Sequence, residues 1–155
     1  MHTGETIKKA IQEMLEHMGF SSELETIDSH QGSTSRYNVR MRGSISMLIG
    51  EHGNNLIAFE HILKKILNKN NTETDPEMKF TIDINDYRLK RLEELKQDVK
   101  TAAKEVRMYR KETLLRPMSS FERRIVHLLL AEYPDITTES VGQDPNRRVI
   151  IKPYP

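Results

Sequence analysis

Apolar residues in the first eighteen positions recur at helical spacing: Ile7, Ala10, Ile11, Met14, Leu15 and Met18. This predicts an amphipathic helix over residues 4–18, closed by Gly19 as its C-terminal cap. Period-2 patterns follow. Tyr37, Val39 and Met41 alternate with Arg36, Asn38, Arg40 and Arg42, the signature of a strand over 35–42. A strand over 23–29 precedes it, and HQGST supplies the turn residues between them. A short apolar helix at 44–49 leads into Gly50-Glu51-His52-Gly53, then a helix runs from about Asn54 to Asn68. Asn70 to Pro76 reads as a polar loop. Met78, Phe80, Ile82 and Ile84 alternate with Lys79, Thr81 and Asp83 and give a third strand.

The second half begins with a long helix, capped by Asn85 or Asp86 and reaching about Lys111. Leu92, Leu95, Val99, Ala102, Val106 and Tyr109 are spaced alternately three and four apart, one stripe along ~39 Å of helix at 1.5 Å per residue. So narrow a stripe fits a coiled-coil seam; it also fits packing of the helix's C-terminal half onto a small domain that follows. Thr113–Met118 reads as a short strand. Ser119 and Glu122 form a capping box that starts a helix ending before Pro134. Its expected buried face is Phe121, Ile125, Leu128 and Leu129. A strand at Ile136–Val141, a Gly-Gln-Asp-Pro-Asn turn at 142–146 and a strand from Arg147 to Tyr154 complete an α+β chain of two small domains, 3–84 and 85–155, the long helix at about 86–111 belonging to the second.

Composition narrows the function. The chain has 155 residues, 36% apolar and 30% charged, with mean hydropathy −0.65 and no Cys. No disulfide framework or thiolate metal site can form, and no apolar run approaches the ~20 residues that span a bilayer. The N-terminus lacks a signal peptide's apolar run, so a cytoplasmic protein is expected. Charge is uneven. Residues 1–85 carry nine Lys/Arg against twelve Asp/Glu, residues 86–125 twelve against seven, and residues 126–155 three against four. The basic excess in the middle block points to an anionic partner, or equally to a solvated long helix. There is no HExxH, Walker loop, GxGxxG or Cys nucleophile, and the six His lack ligand spacing. No cofactor, metal or enzymatic activity is expected.

The most informative segment is SSFERRIVHLLLAEY, residues 119–133. It sets Arg123 and His127 four apart on one helix face, with Arg124 beside them. Alone, they are polar residues on a helix. Together with RPMSSFERRIVHLLL and SVGQDPNRRVIIKP at the matching separation, residues 86–155 resemble the Arg-x-x-x-His ("R-three-H") single-stranded nucleic-acid-binding domain. Residues 3–84 follow the αββααβ order of a type II KH domain, with the GxxG loop between its two helices. In that fold the loop lies on the nucleic-acid backbone. The two halves together resemble the Jag family of SpoIIIJ-associated bacterial RNA-binding proteins. Members often carry a further N-terminal domain, whereas this chain begins almost at the KH helix.

The resemblance implies single-stranded RNA, or single-stranded DNA, as ligand and a post-transcriptional role bearing on cell division, cell-wall synthesis or sporulation. It implies contacts from Arg123, His127, Arg124, Arg116, Arg147, Arg148 and the loop Gly50, Glu51, His52, Gly53. Arg147 and Arg148 are consecutive in a strand and point to opposite faces, which leaves open the one that meets nucleic acid. Lys152 extends the same surface. His127 has a structural alternative, held by hydrogen bonds beneath the helix. Where the family commonly places Lys or Arg in the GxxG loop, this chain has Glu51, whose charge repels phosphate by about 1 kcal/mol at 4 Å in water. RNA affinity is therefore expected first in the second half. The aromatic residues Phe121, Tyr133 and Tyr154 read as core rather than stacking platforms, and so do Leu56 and Ile57 near the loop. The competing reading is a protein–protein adaptor, bound to a small stand-alone KH protein or the ribosome, with incidental RNA contact.

Overall fold

The computed structural model describes residues 4–69 and 79–155. The chain forms two compact units, Met1–Arg88 and Leu89–Pro155. The first contains α1 (Gly4–His17), β1 (Leu24–His30), β2 (Ser35–Met41), α2 (Ser46–Ile49), a 3₁₀ turn (Glu51–Gly53), α3 (Asn54–Lys69) and β3 (Phe80–Ile84). The polar loop expected at Asn70–Pro76 and the strand position of Met78 lie outside the described residues.

The three strands form one sheet in the order β1-β2-β3. β1 and β2 are an antiparallel hairpin, while β2 and β3 run parallel, with Val39 opposite Ile84. Parallel pairing needs a crossover, which α2 and α3 supply. Pleating puts Tyr37, Val39 and Met41 on the same face as Phe80, Ile82 and Ile84. Ile7, Ile11 and Leu15 of α1 and Leu56, Phe59, Leu63 and Leu67 of α3 close over that face in one core. Ile57, expected to be buried, is exposed instead, as are Ile62 and Ile66. The inward face of α3 is filled by the residues three and four apart from Leu56.

The junction from β3 into α4 (Tyr87–Tyr109) is built on polar groups. Asn85 and Asp86 both adopt positive φ, at 48° and 57°. The Asn85 side chain accepts from the Met41 amide and donates to its carbonyl, both at 2.9 Å, and so continues the ladder that β3 leaves. The Arg88 amide in the first turn of α4 donates to the buried Asp83 carboxylate at 3.1 and 3.2 Å. That carboxylate was not the expected cap. The edge of β3 is covered too: the Ile82 amide donates to Glu60 of α3 at 3.0 Å, which removes a free sheet-edge donor.

The second unit takes α4 from Leu89 onward, β4 (Thr113–Leu114), α5 (Ser120–Leu130), β5 (Ile136–Val141) and β6 (Arg148–Pro153). Its sheet has the order β4-β6-β5, antiparallel throughout. Leu95, Val99, Ala102, Ala103 and Val106 of α4 pack with Val126 and Leu130 of α5 and Val149 and Ile151 of β6. The α4 stripe is thus a core face of this unit, not a coiled-coil seam, and it stops short of the exposed Tyr109.

Two expectations are corrected here. The strand at 113–118 is regular for two residues only. Leu115 donates to the Val149 carbonyl and Met118 to that of Arg147, three steps on one side against two on the other. The extra residue falls at Arg116-Pro117, where proline has no amide to give. The second correction concerns α5. Phe121 and Leu128 are 68% and 61% exposed and Leu129 is also exposed, while Glu122, Arg123, Val126 and Leu130 are buried. Of the expected apolar face only Ile125 packs, in part, against the core. Tyr154 is exposed, against expectation; Tyr133 is partly buried against the core.

Asn85→Ala removes two hydrogen bonds and forces a Cβ residue without polar compensation into positive φ. It should lower the stability of the first unit by about 2 kcal/mol in urea unfolding. Asn85→Gly, which relieves only the backbone strain, should recover part of that loss.

Candidate nucleic-acid interface

The second unit gathers most of the candidate residues. At the start of α5 the capping box is complete: the Glu122 amide donates to Ser119 Oγ at 3.2 Å and the Ser119 amide to Glu122 Oε2 at 2.8 Å. The other Glu122 oxygen accepts Arg91 Nε at 2.7 Å. Burial alone would raise the Glu122 carboxyl, but the Arg91 and Ser119 hydrogen bonds outweigh it and hold the group below the ordinary carboxylate range.

Arg123 is only 7% exposed. Its Nη1 donates to the Met118 carbonyl at 2.7 Å and to Asp144 Oδ1 at 3.2 Å. One guanidinium therefore ties α5 to the segment before it and to the β5–β6 turn. His127 lies one helical turn on, its Nδ1 2.7 Å from Thr138 Oγ1 and its Nε2 2.9 Å from Ser140 Oγ. Hydroxyls both donate and accept, so both ring nitrogens are satisfied in either tautomer. Thr138 and Ser140 are two apart on β5 and share its α5-facing side. The Arg123–His127 pair thus sits on one face, and that face is turned into the unit.

The remaining cations surround this pair differently. Arg124 is exposed on the solvent side of α5, with no ion pair among the described residues. Arg116, at the irregular step beside β6, places Nε 3.6 Å from Asp98 Oδ2. Its Nε and Nη2 are buried without a hydrogen-bond acceptor among the described residues, and so is Arg147 Nε. Arg116 and Arg147 lie on segments joined by the Met118 amide, which donates to the Arg147 carbonyl at 3.2 Å. Arg148 pairs in register with Val141, one step off the Ser140–Val149 pair that faces α5, so it points to the other side of the sheet. Lys152 is engaged by Glu139 at 2.7 Å.

The GxxG loop belongs to the first unit. Gly50 and Gly53 both have positive φ, 71° and 78°. A Cβ on Gly50 would come within 2.5 Å of the Asn55 side chain, and one on Gly53 within 3.0 Å of the Tyr87 ring. Asn55 is fixed in place by donating to the Met47 carbonyl at 2.7 Å. The glycines are therefore demanded by the fold itself. Glu51 is exposed at the loop tip, its carboxylate 3.7 Å from His52 Nε2. On β2 Arg40 pairs with Asp28 and Asp86, and just past its end Arg42 pairs with Glu25.

Sequence reasoning passed over Arg91, Asp144, Thr138 and Ser140, the partners of the buried charges and of the histidine. The alternation of Thr138 and Ser140 on an inward strand face was the available signal. Among the described residues no helix is long and apolar enough to cross a membrane. No group of three or more His, Asp or Glu there could hold a metal.

The family model of the R-three-H domain matches residues 91–153. The chain is 29% identical over 138 residues to the RNA-binding protein KhpB of Lactiplantibacillus plantarum, covering 89% of this chain and 41% of that one. It is 31% identical over 115 residues to KhpB of Clostridium symbiosum, covering 74% and 50%. It is 35% identical over 120 residues to KhpB of Bacillus subtilis, covering 76% and 56%. The chain spans about half the length of these relatives.

His127→Ala should lower the stability of the second unit by about 1–2 kcal/mol, and Thr138→Val with Ser140→Ala should do the same. A double-mutant cycle on thermal unfolding should show the two changes strongly coupled. Because the Glu122 carboxyl titrates lower in the folded than in the unfolded chain, its stabilisation is present above the ordinary carboxylate range. It is lost as pH falls through the depressed value. Glu122→Gln should flatten the acid limb of the stability–pH profile and cost about 2 kcal/mol at neutral pH.

Proposed function

We propose that this chain, which belongs to the KhpB (Jag) family, is a single-stranded RNA-binding protein whose second unit holds the strand. One observation carries the reading. Arg116 and Arg147, both partly exposed, stand on adjoining segments joined at Met118, and the exposed Arg124 adds a further cation in the same unit. Phosphate oxygens are acceptors that an arginine fork fits well. The name RNA-binding protein, borne by relatives at 29–35% identity, supports the same reading.

In this reading Arg123 and His127 act mainly by position. They lock α5 to Met118 and to the β5–β6 hairpin, which fixes where Arg116, Arg124 and Arg147 stand. Arg148 adds charge from the other side of the sheet. The exposed Phe121 ring is three residues from Arg124 on the outward face of α5, a ring beside a cation of the kind on which unpaired bases stack. The first unit, with its αββααβ order and GxxG turn, acts as a type II KH module. Its loop from Gly50 to Gly53, with His52, makes the weaker backbone contact because Glu51 stands at its tip. The protein works in the cytoplasm as a post-transcriptional regulator, with effects on cell division, cell-wall synthesis or sporulation. It binds RNA without acting on it chemically.

A second reading, an adaptor that binds another protein through the first unit, is favoured by the exposed Ile57, Ile62 and Ile66 of α3 and the exposed Met47. A complex that survives high salt and nuclease in sedimentation would support it.

Fluorescence polarisation with a labelled 12-nucleotide single-stranded RNA tests the leading reading. Affinity should fall steeply with salt. Arg116→Ala with Arg124→Ala should weaken binding about tenfold and reduce the log–log salt slope by about 1.4, two phosphate contacts at ~0.7 each. Phe121→Ala should weaken binding without changing that slope. Unchanged affinity in the double variant would overturn the site.

A further inference from the structure

A shallow cavity of about 520 Å³ lies against α4 in the second unit. Lys100, Lys104, Arg107 and Met108 of α4 line it, with Tyr133 and Asp135 from the segment after α5, and Ala103 is at its floor. The three cations follow one another at i, i+4 and i+7, so they share a flank of the helix. Neither Lys100 nor Lys104 has an ion pair among the described residues. Arg107 is held on two sides: its Nε donates to Asp135 Oδ2 at 2.6 Å, and its Cζ lies 5.3 Å from the centroid of the Tyr133 ring. The side chain is still 47% exposed.

The chemistry of this groove selects its ligand. The single acid, Asp135, is matched by Arg107, which leaves the charge of two lysines for an anion. A guanidinium backed by an aromatic ring and steered by a carboxylate is a ready plane for stacking. The exposed Met108 adds an apolar wall. An anion with a planar aromatic part satisfies all of these at once.

We infer that this groove binds one nucleotide of a single-stranded RNA, its phosphate on Lys100 and Lys104 and its base on the guanidinium of Arg107. The inference rests on the RNA-binding reading and extends it. Arg123 is in the first turn of α5 and Tyr133 lies just beyond its end. The groove therefore carries the strand about 10 Å or more along that helix from the arginine cluster, at 1.5 Å per residue.

Two measurements on the full chain test it. In polarisation with the labelled 12-nucleotide RNA, Lys100→Ala with Lys104→Ala should weaken binding about tenfold and lower the salt slope by about 0.7, the value for one phosphate contact. The charge-matched control, Lys8→Ala with Lys9→Ala on α1, should change affinity less than twofold. If the two double variants behave alike while the wild type binds RNA, the groove is overturned and the wider reading stands. In an NMR titration, uridine monophosphate should shift the Lys104 and Met108 amides and the Arg107 Nε–H. Arg107→Lys should weaken that response while leaving the response to inorganic phosphate in place. Equal shifts from inorganic phosphate and the nucleotide would reduce the groove to a bare anion site and overturn the base assignment. A 12-residue poly-glutamate that displaces labelled RNA as well as unlabelled RNA does would make it an acidic-protein surface and overturn the proposal too. A wild type that takes uridine monophosphate here but not the 12-nucleotide RNA would sink the wider reading and keep a nucleotide site.

Discussion

Two neighbouring charges of opposite sign, Glu122 and Arg123, are buried on one helix, and the second unit is arranged to pair them. A charge taken out of water without a partner is costly enough to dominate any local apolar preference. Glu122 therefore meets Arg91 and the Ser119 amide, and Arg123 meets the Met118 carbonyl and Asp144. These partners come from α4, from the segment before α5 and from the β5–β6 turn. One requirement on two adjacent side chains thus binds together almost every element of the unit.

The rotation of α5 follows from it. Once Glu122 and Arg123 face inward, Val126 and Leu130 follow at helical spacing, and His127 comes against Thr138 and Ser140. Phe121 and Leu128 are then carried outward, although each is more apolar than the residues that replaced it. The outward set puts a ring and a cation on the solvent side of the helix. Position and exposure are divided between neighbours, Arg123 being locked and Arg124 exposed.

The first unit solves its polar problem in a different way. Its one apolar sheet face is closed by two helices. On the other face Asn38 and Asp83 are buried and hydrogen-bonded, and Asn85 continues the ladder where the backbone turns away into α4. The GxxG turn is held from within by Asn55 and Tyr87, so the glycines are fixed by packing as well as by any backbone they approach.

Most of the architecture was legible in the chain. Period-2 alternation at 37–41 and 80–84, the stripe from Leu95 to Val106, and the capping box at Ser119 are local patterns, and local patterns report local structure. The order of elements and the Arg123–His127 spacing followed from them. What tertiary structure alone decided was the facing of α5, the bulge at Arg116-Pro117 and the carboxylate that caps α4. Helix α5 has apolar residues on two sides, so periodicity cannot choose between them. The choice was made by Arg91 and Asp144, thirty-one residues before Glu122 and twenty-one after Arg123. Pairing of buried charge is a long-range condition, and no window of sequence contains both partners and the geometry that joins them.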